Sequence, residues 1–214
     1  MPSEVEIVNL ALGVLGKAAL RDFSVAENDP FTGRLANRIY VAARDHYLSV
    51  HDWSFARATA TLKMRLDETH PEGVVYALPS DCFVPRRLGP RVGAPNKWSV
   101  EGRNVIVPTS RATSFGAAPI LRYTKQVTNT GYFMPYFVTA LYTEIASRLA
   151  MPLNCDSEVA SAVRKESKML LAEAKLIDSN IGEGDDHVSQ DLLYDTFVAV
   201  DIPVETFNDG SGTT

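Results

Sequence analysis

The chain has 214 residues, 45% hydrophobic and 22% charged, which fits one sizeable globular domain, or one core with an appendage, and excludes a disordered polymer. A formal net charge of −5 argues against a general nucleic-acid binder, which is normally basic. Two distant cysteines, Cys82 and Cys155, exclude a disulfide framework and point to a reducing cytosol; with no apolar run of about 18 residues and an acidic start unlike a secretory signal, a soluble protein made inside a cell is expected.

Four stretches carry helical period. The first runs from about Ser3, an N-cap with Glu6 in the capping-box position, to about Leu15, with Ile7, Leu10, Ala11, Val14 and Leu15 as its apolar face and Gly16 as its stop. The second opens at Asp29-Pro30 and ends near Asp52, with Leu35, Ile39, Ala42, Ala43 and Tyr47 on one stripe. Between Trp53 and Gly131 the period changes. Ala56 to Met64 alternates as a half-buried strand does, and Val74–Leu78, Cys82–Val84, Trp98–Val100, Val105–Val107 and Ile120–Tyr123 are short strand-like runs. Glu101-Gly102-Arg103-Asn104 reads as a hairpin turn, and the Gly- and Pro-rich segment 89–119 as exposed loops.

The third helix starts around Pro135, with Val138, Leu141, Ile145 and Leu149 on one stripe, and stops at Met151-Pro152. The fourth opens near Asn154 or Asp156 and continues to about Ile177, with Val159, Val163, Leu170, Ala174 and Ile177 apolar. Single-striped helices of this length pack as bundles. The expected fold is α+β and mainly α. An antiparallel bundle of about four helices (1–52 and 132–178) carries a β-rich insertion (53–131), and an extended acidic C-terminal arm (179–214) follows.

Enzyme and metal signals are weak. No Gly-rich phosphate loop occurs, and His46, His51, His70 and His187 stand singly, without a zinc motif. Asp178 and Asn180 fit the first two positions of a calcium loop. Gly182 then falls where a third oxygen ligand belongs, Glu183 replaces the required Gly, and Ser189 replaces the bidentate Glu. No Ser sits in a nucleophile elbow. Cys82 reads as a buried small hydrophobe, and His51 as a residue that satisfies the negative end of the second helix. No catalytic residue, metal or cofactor is expected.

Charge is unevenly distributed. From Asp178 to the C-terminus there are nine acids and no Lys or Arg, so residues 1–177 hold 21 cations against 17 acids, a net of +4. Residues 53–125 hold eleven cations and five acids, with Arg86, Arg87 and Arg91 close together. Such a patch either meets phosphate or docks an acidic surface. Docking is the better reading, since no aromatic-interleaved basic stripe accompanies it. The segment from Leu192 is too apolar for a solvated tail, and two readings remain open: an arm that orders on another subunit, or a strand that packs on its own domain. Arg86, Arg87 and Arg91 on one side and Asp191, Asp195, Phe197 and Asp201 on the other are the expected inter-subunit, portal or nozzle contacts. Trp53, Phe55, Tyr76 and Leu78 are the expected structural anchors.

Several motifs follow one another in a fixed order. They are Leu12-Gly13-Val14-Leu15-Gly16, Asp52-Trp53-Ser54-Phe55-Ala56 and Tyr76-Ala77-Leu78-Pro79-Ser80-Asp81-Cys82. Then come Glu101-Gly102-Arg103-Asn104-Val105, Ile120-Leu121-Arg122-Tyr123-Thr124, and a helix opening at Met134-Pro135-Tyr136-Phe137 and running through Leu141, Ala146 and Leu149-Ala150. Together they span about residues 5–178, and the series resembles the head-to-tail adaptor proteins of short-tailed bacteriophages, the tail tubular protein A type. The 36 residues beyond Asp178 match no motif of that family. The resemblance implies a non-enzymatic virion protein of the neck, assembled in the host cytoplasm. It would form a homo-oligomeric ring, a dodecamer, that grips the portal protein on one side and the tail nozzle or tube on the other. DNA would pass the lumen unread during ejection, and no membrane would be involved. Three alternatives are a phage DNA-binding or DNA-processing protein that uses the basic middle segment, a tail-associated hydrolase, and another ring of the same machine.

Overall fold

The computed structural model describes residues 2–23, 30–89, 98–109 and 118–182. Within them the chain mixes four helices with two antiparallel sheets. Helix α1 (Glu4–Val14) is closed at its start by the expected capping box: Ser3 Oγ accepts from the Glu6 N–H at 3.2 Å, and Glu6 Oε2 accepts from the Ser3 N–H at 2.6 Å. It ends where Gly16 turns left-handed (φ +64°) and the Lys17 N–H donates back to the Leu12 carbonyl. Helix α2 spans Pro30–Val50; the capping role expected of Asp29 lies outside the described residues. Helix α3 (Pro135–Ala150) follows the seven strands, and helix α4 (Ser157–Gly182) runs five residues past the expected end at Ile177.

Helix α3 is the hub. Phe137, Ala140, Leu141, Ile145, Ala146 and Leu149 are all fully buried, and every residue from Tyr136 to Ala150 is at least partly covered because α1, α2 and α4 each pack against the helix. Helices α3 and α4 run antiparallel. The start of α3 meets the end of α4 at Tyr136 and Asp178, and their middles meet at Glu144 and Ser167. The turn between them uses Asn154 at φ 52° and returns the Cys155 N–H to the Ala150 carbonyl.

The buried faces of the other helices differ from the expected stripes. Helix α1 buries Ile7, Val8, Ala11 and Leu12, while Leu10 and Val14 are 47% and 42% exposed. Helix α2 buries Ala36, Tyr40, Ala43, Tyr47 and Leu48; Leu35 and Ile39 are only partly covered, and Ala42 is exposed. In α4 the inward positions are Val163, Ser167, Ala174 and Asp178, whereas Val159 and Ile177 face out. A helix with apolar residues on more than half its circumference has no unique stripe, and the packing against α3 selects one.

The strands form two sheets. One has the order β1 (Arg57–Thr61), β7 (Ile120–Lys125), β4 (Cys82–Leu88). The other has the order β2 (Lys63–Met64), β3 (Gly73–Ala77), β6 (Asn104–Pro108), β5 (Ser99–Glu101). The single strand expected over Ala56–Met64 is divided at Leu62. That residue is 2% exposed, and its N–H donates to the Pro119 carbonyl, so the chain leaves one sheet and joins the other there. The expected hairpin at Glu101–Asn104 joins β5 to β6, with Gly102 at φ +58° supplying the left-handed position. The run expected at Cys82–Val84 continues to Leu88 through Pro85, with register shifts between Cys82 and Val84 and between Pro85 and Arg87. Proline is tolerated because β4 lies at a sheet edge. Side chains from both sheets form a second core of Leu62, Tyr76, Cys82, Leu88, Val105 and Leu121.

At Gly73 the second core admits no side chain. A Cβ there would lie 2.6 Å from the Val107 carbonyl carbon of the paired strand β6. Gly73→Ala is therefore expected to lower stability by about 2–3 kcal/mol in urea unfolding, the range for overpacked positions. Gly13→Ala, whose Cβ meets open space at the end of α1, is expected to raise stability by up to about 1 kcal/mol.

Candidate functional site

Among the described residues, a dense group of polar contacts lies where α2 hands over to the sheets. Trp53, the third residue after the end of α2, is fully buried and donates its indole N–H to the Tyr47 carbonyl at 2.6 Å. Its ring meets Phe137 edge-on at 5.0 Å, and Phe55 meets the same ring at 4.9 Å. These contacts seat the junction on the first turns of α3. Trp53 and Phe55 thus occupy the anchoring positions expected of them, Phe55 partly buried against the helical core. Tyr76 is 4% exposed in the second core, and Leu78 packs against it partly buried.

Beside Trp53 lies the Asp178 carboxylate, 1% exposed. It accepts from the Ser54 N–H at 3.0 Å, from Ser54 Oγ at 2.7 Å and from the Tyr136 hydroxyl, and it pairs with His51 Nε2 at 3.2 Å. One side chain thereby joins the end of α4, the start of α3 and the α2–β1 connection. Burial by itself would raise this carboxyl. The hydrogen bonds from His51, Tyr136 and Ser54 together outweigh burial and hold it below its ordinary value. Tyr136 is pushed up to about 12 by burial and by the carboxylate it serves.

Ser, His and Asp meet here, but not in the order that activates a nucleophile. In a working triad the histidine lies between the serine and the acid. Here Ser54 Oγ and His51 Nε2 both bond to Asp178 itself. A carboxylate held below its ordinary value is also a poor base. The cluster is built as a tie.

A second polar group lies midway along the α3–α4 hairpin. Ser167 Oγ donates to Glu144 Oε2 at 2.7 Å, Arg148 Nε donates to Glu144 Oε1 at 2.6 Å, and the Tyr47 hydroxyl lies 3.1 Å from Ser167 Oγ. Burial raises Glu144, but the bonds from Ser167 and Arg148 outweigh it and leave the carboxyl below its ordinary value. A cleft of about 790 Å³ opens beside this group, with His46, Arg148, Arg164 and Lys168 among its lining residues.

Arg86, expected on a docking face, is engaged within its own chain. Its guanidinium donates to the Leu48, Ser49 and His51 carbonyls at 3.1, 2.9 and 2.7 Å, and to Thr124 Oγ1 at 2.8 Å. It therefore closes the negative end of α2, the role expected of His51, whose ring turns to Asp178 instead. Arg87 is exposed on β4. Arg91, Asp191, Asp195, Phe197 and Asp201 lie outside the described residues. Other cations of the middle segment also have partners in the chain: Arg122 and Arg57 pair with Asp52 at 2.6 and 3.5 Å, and Arg65 pairs with Glu68 at 3.0 Å. The basic excess over residues 53–125 is thus partly neutralised by acids and carbonyls that its net charge conceals. Cys82 is buried, and burial pushes its thiol up.

The chain matches no family model and no curated protein. Among the described residues, no three His, Cys, Asp or Glu side chains converge to hold a metal ion, and no helix is long and apolar enough to cross a membrane.

Two outcomes are expected at this site. Asp178→Asn removes an acceptor charge that three side chains and an N–H share, and it should lower stability by about 3 kcal/mol at neutral pH. The folded carboxyl lies below its unfolded value, so its contribution is complete above that value and fades as pH falls below 3.8. The stability of Asp178→Asn should therefore decline less steeply in acid, with Glu144 and Glu6, both also held low, contributing to the slope that remains; parallel urea curves from pH 6 to pH 2 read the difference. Arg86→Ala should lower the stability read from urea unfolding by about 3 kcal/mol, because the carbonyls of Leu48, Ser49 and His51 lose their donor, whereas Arg87→Ala should change it by under about 0.5 kcal/mol.

Proposed function

We propose that this chain is a structural subunit of a bacteriophage neck, forming a ring that connects the portal to the tail tube of a short-tailed phage and lets DNA through. In this reading the four helices form an antiparallel bundle carrying a β-rich insertion. The ring is a dodecamer, and the described polar clusters serve rigidity. One observation carries the reading: the motifs that resemble the adaptor family fall at the turning points of the fold. Leu12–Gly16 closes α1, Asp52–Ala56 holds the buried Trp53 at the α2–β1 junction, and Tyr76–Cys82 crosses from one sheet to the other. Glu101–Val105 is the β5–β6 hairpin, Ile120–Thr124 is the central strand of its sheet, and Met134–Phe137 begins the hub helix. Residues at such positions specify a shared architecture more than a surface. The two tied carboxylates support the same reading, since each holds secondary elements together and neither is poised as a base.

Ring formation is tested by mass photometry and negative-stain microscopy of the purified chain across a range of concentrations. A closed ring of many 23.5 kDa subunits, with a channel wide enough for duplex DNA, is expected. A particle of one subunit's mass at every concentration overturns the reading. Tight binding of a labelled duplex that weakens steeply with salt favours the DNA-handling alternative.

A further inference from the structure

Two surfaces of the described chain complement each other. The first is on α2. Its core-facing side is complete with Ala36, Tyr40, Ala43 and Tyr47, yet Leu35, Ile39, Val41 and Ala42 continue the apolar character onto the outer side. They line a groove of about 590 Å³ whose cations are Arg38, exposed on α2, and Arg148 of α3, which bonds Glu144 through Nε and stays partly exposed. The groove is therefore apolar with a cationic border.

The second surface is on α4. The solvent-exposed flank of α4 carries Val159, Met169, Leu176 and Ile177, which are 39%, 64%, 55% and 37% exposed, Val159 and Ile177 beside the buried face and Met169 and Leu176 farther round. Glu166 and Glu173, both exposed, stand between them on the same side. Met169 to Leu176 and Glu166 to Glu173 are each seven residues apart, or about 10.5 Å along a helix. The result is a stripe in which apolar and acidic side chains alternate, with the exposed Lys165 at its edge beside Met169. Large apolar residues thus stand on the outside of two helices, one bordered by cations and the other carrying acids. Such pairs place apolar contact at the centre and ion pairs at the border, the usual anatomy of a protein interface.

We infer that the α2 groove receives the α4 stripe of a second copy of the chain, with Arg38 and Arg148 meeting Glu166 and Glu173. The contact joins two different patches, so repeating it head to tail generates a closed ring or an open filament. The inference rests on the ring reading proposed above and names the surfaces through which the ring is built.

A charge-swap experiment on the full chain tests it. Arg38→Glu alone sets an acid against Glu173, and Glu173→Arg alone sets a cation against Arg38. Each single variant should need at least tenfold more protein to assemble, while keeping the helical circular-dichroism signal and thermal midpoint of the wild type. Mixing the two variants in equal amounts should restore assembly, because every junction of an alternating ring then pairs opposite charges, and the Arg38→Glu/Glu173→Arg double variant should assemble alone. If both single variants assemble as the wild type does, including the case in which another segment or another protein covers the groove, the inference is wrong and the ring reading stands. If the mixture pairs but stops at two subunits, the docking is right and the ring reading falls. A wild type that never associates overturns both.

Discussion

Asp178 occupies a position that geometry alone would give to an alanine or a leucine: the inward face of a long helix, one turn beyond Ala174. Its carboxylate is shielded from water and depends on donors brought from two separate stretches of chain. His51 and the Ser54 N–H and hydroxyl come from the connection that follows α2, and Tyr136 from the first turn of α3. A buried charge is tolerable only when its partners are all in place. The end of α4, the start of α3 and the exit of α2 must therefore settle together. Trp53, packed beside the tie at 4.7 Å from the His51 ring, couples this polar requirement to the aromatic core. The position of the sheets relative to the helices follows, since β1 begins only three residues after Ser54.

Arg86 acts on the same junction from the other side. Standing on an edge strand, it reaches three carbonyls at the end of α2, so that helix is held both by what precedes β1 and by β4. The helical and sheet-bearing parts are thereby tied at one place, the handover from α2 to β1. Two charge-assisted attachments at a single handover achieve that without a large apolar interface between them.

Much of this architecture was legible in the sequence. The capping box at Ser3 and Glu6, the Gly102 hairpin and the helix opened by Pro135 rest on local chemistry, and local chemistry survives folding. Trp53 and Phe55 were legible as anchors because large aromatics at a helix–strand boundary have few other uses. Asp178 was not, because an acid at the head of a run of acids reads as solvated; the signal lay in its spacing from Ala174 and Val163, which puts it on the buried face. Arg86 was concealed for a similar reason: a guanidinium among other cations reads as part of a surface patch, and only the tertiary approach of α2 turns it inward. The division at Leu62 was also hidden, since a two-residue period shows that a strand exists but not which sheet it joins. The outward apolar residues of α2 and α4 were assigned to the core because a repeat of three and four cannot separate a face that meets α3 from one that meets something else.

Strand β4 carries a further consequence. It lies on the rim of its sheet, interrupted by two changes of register and by a proline that offers no amide hydrogen. A border of that kind is a poor template for an incoming backbone, so copies of the chain at high concentration are hindered from extending one another's sheets through it. Recognition between molecules is left to side chains on rigid helices, which can be selective about partner and angle where backbone zippering cannot.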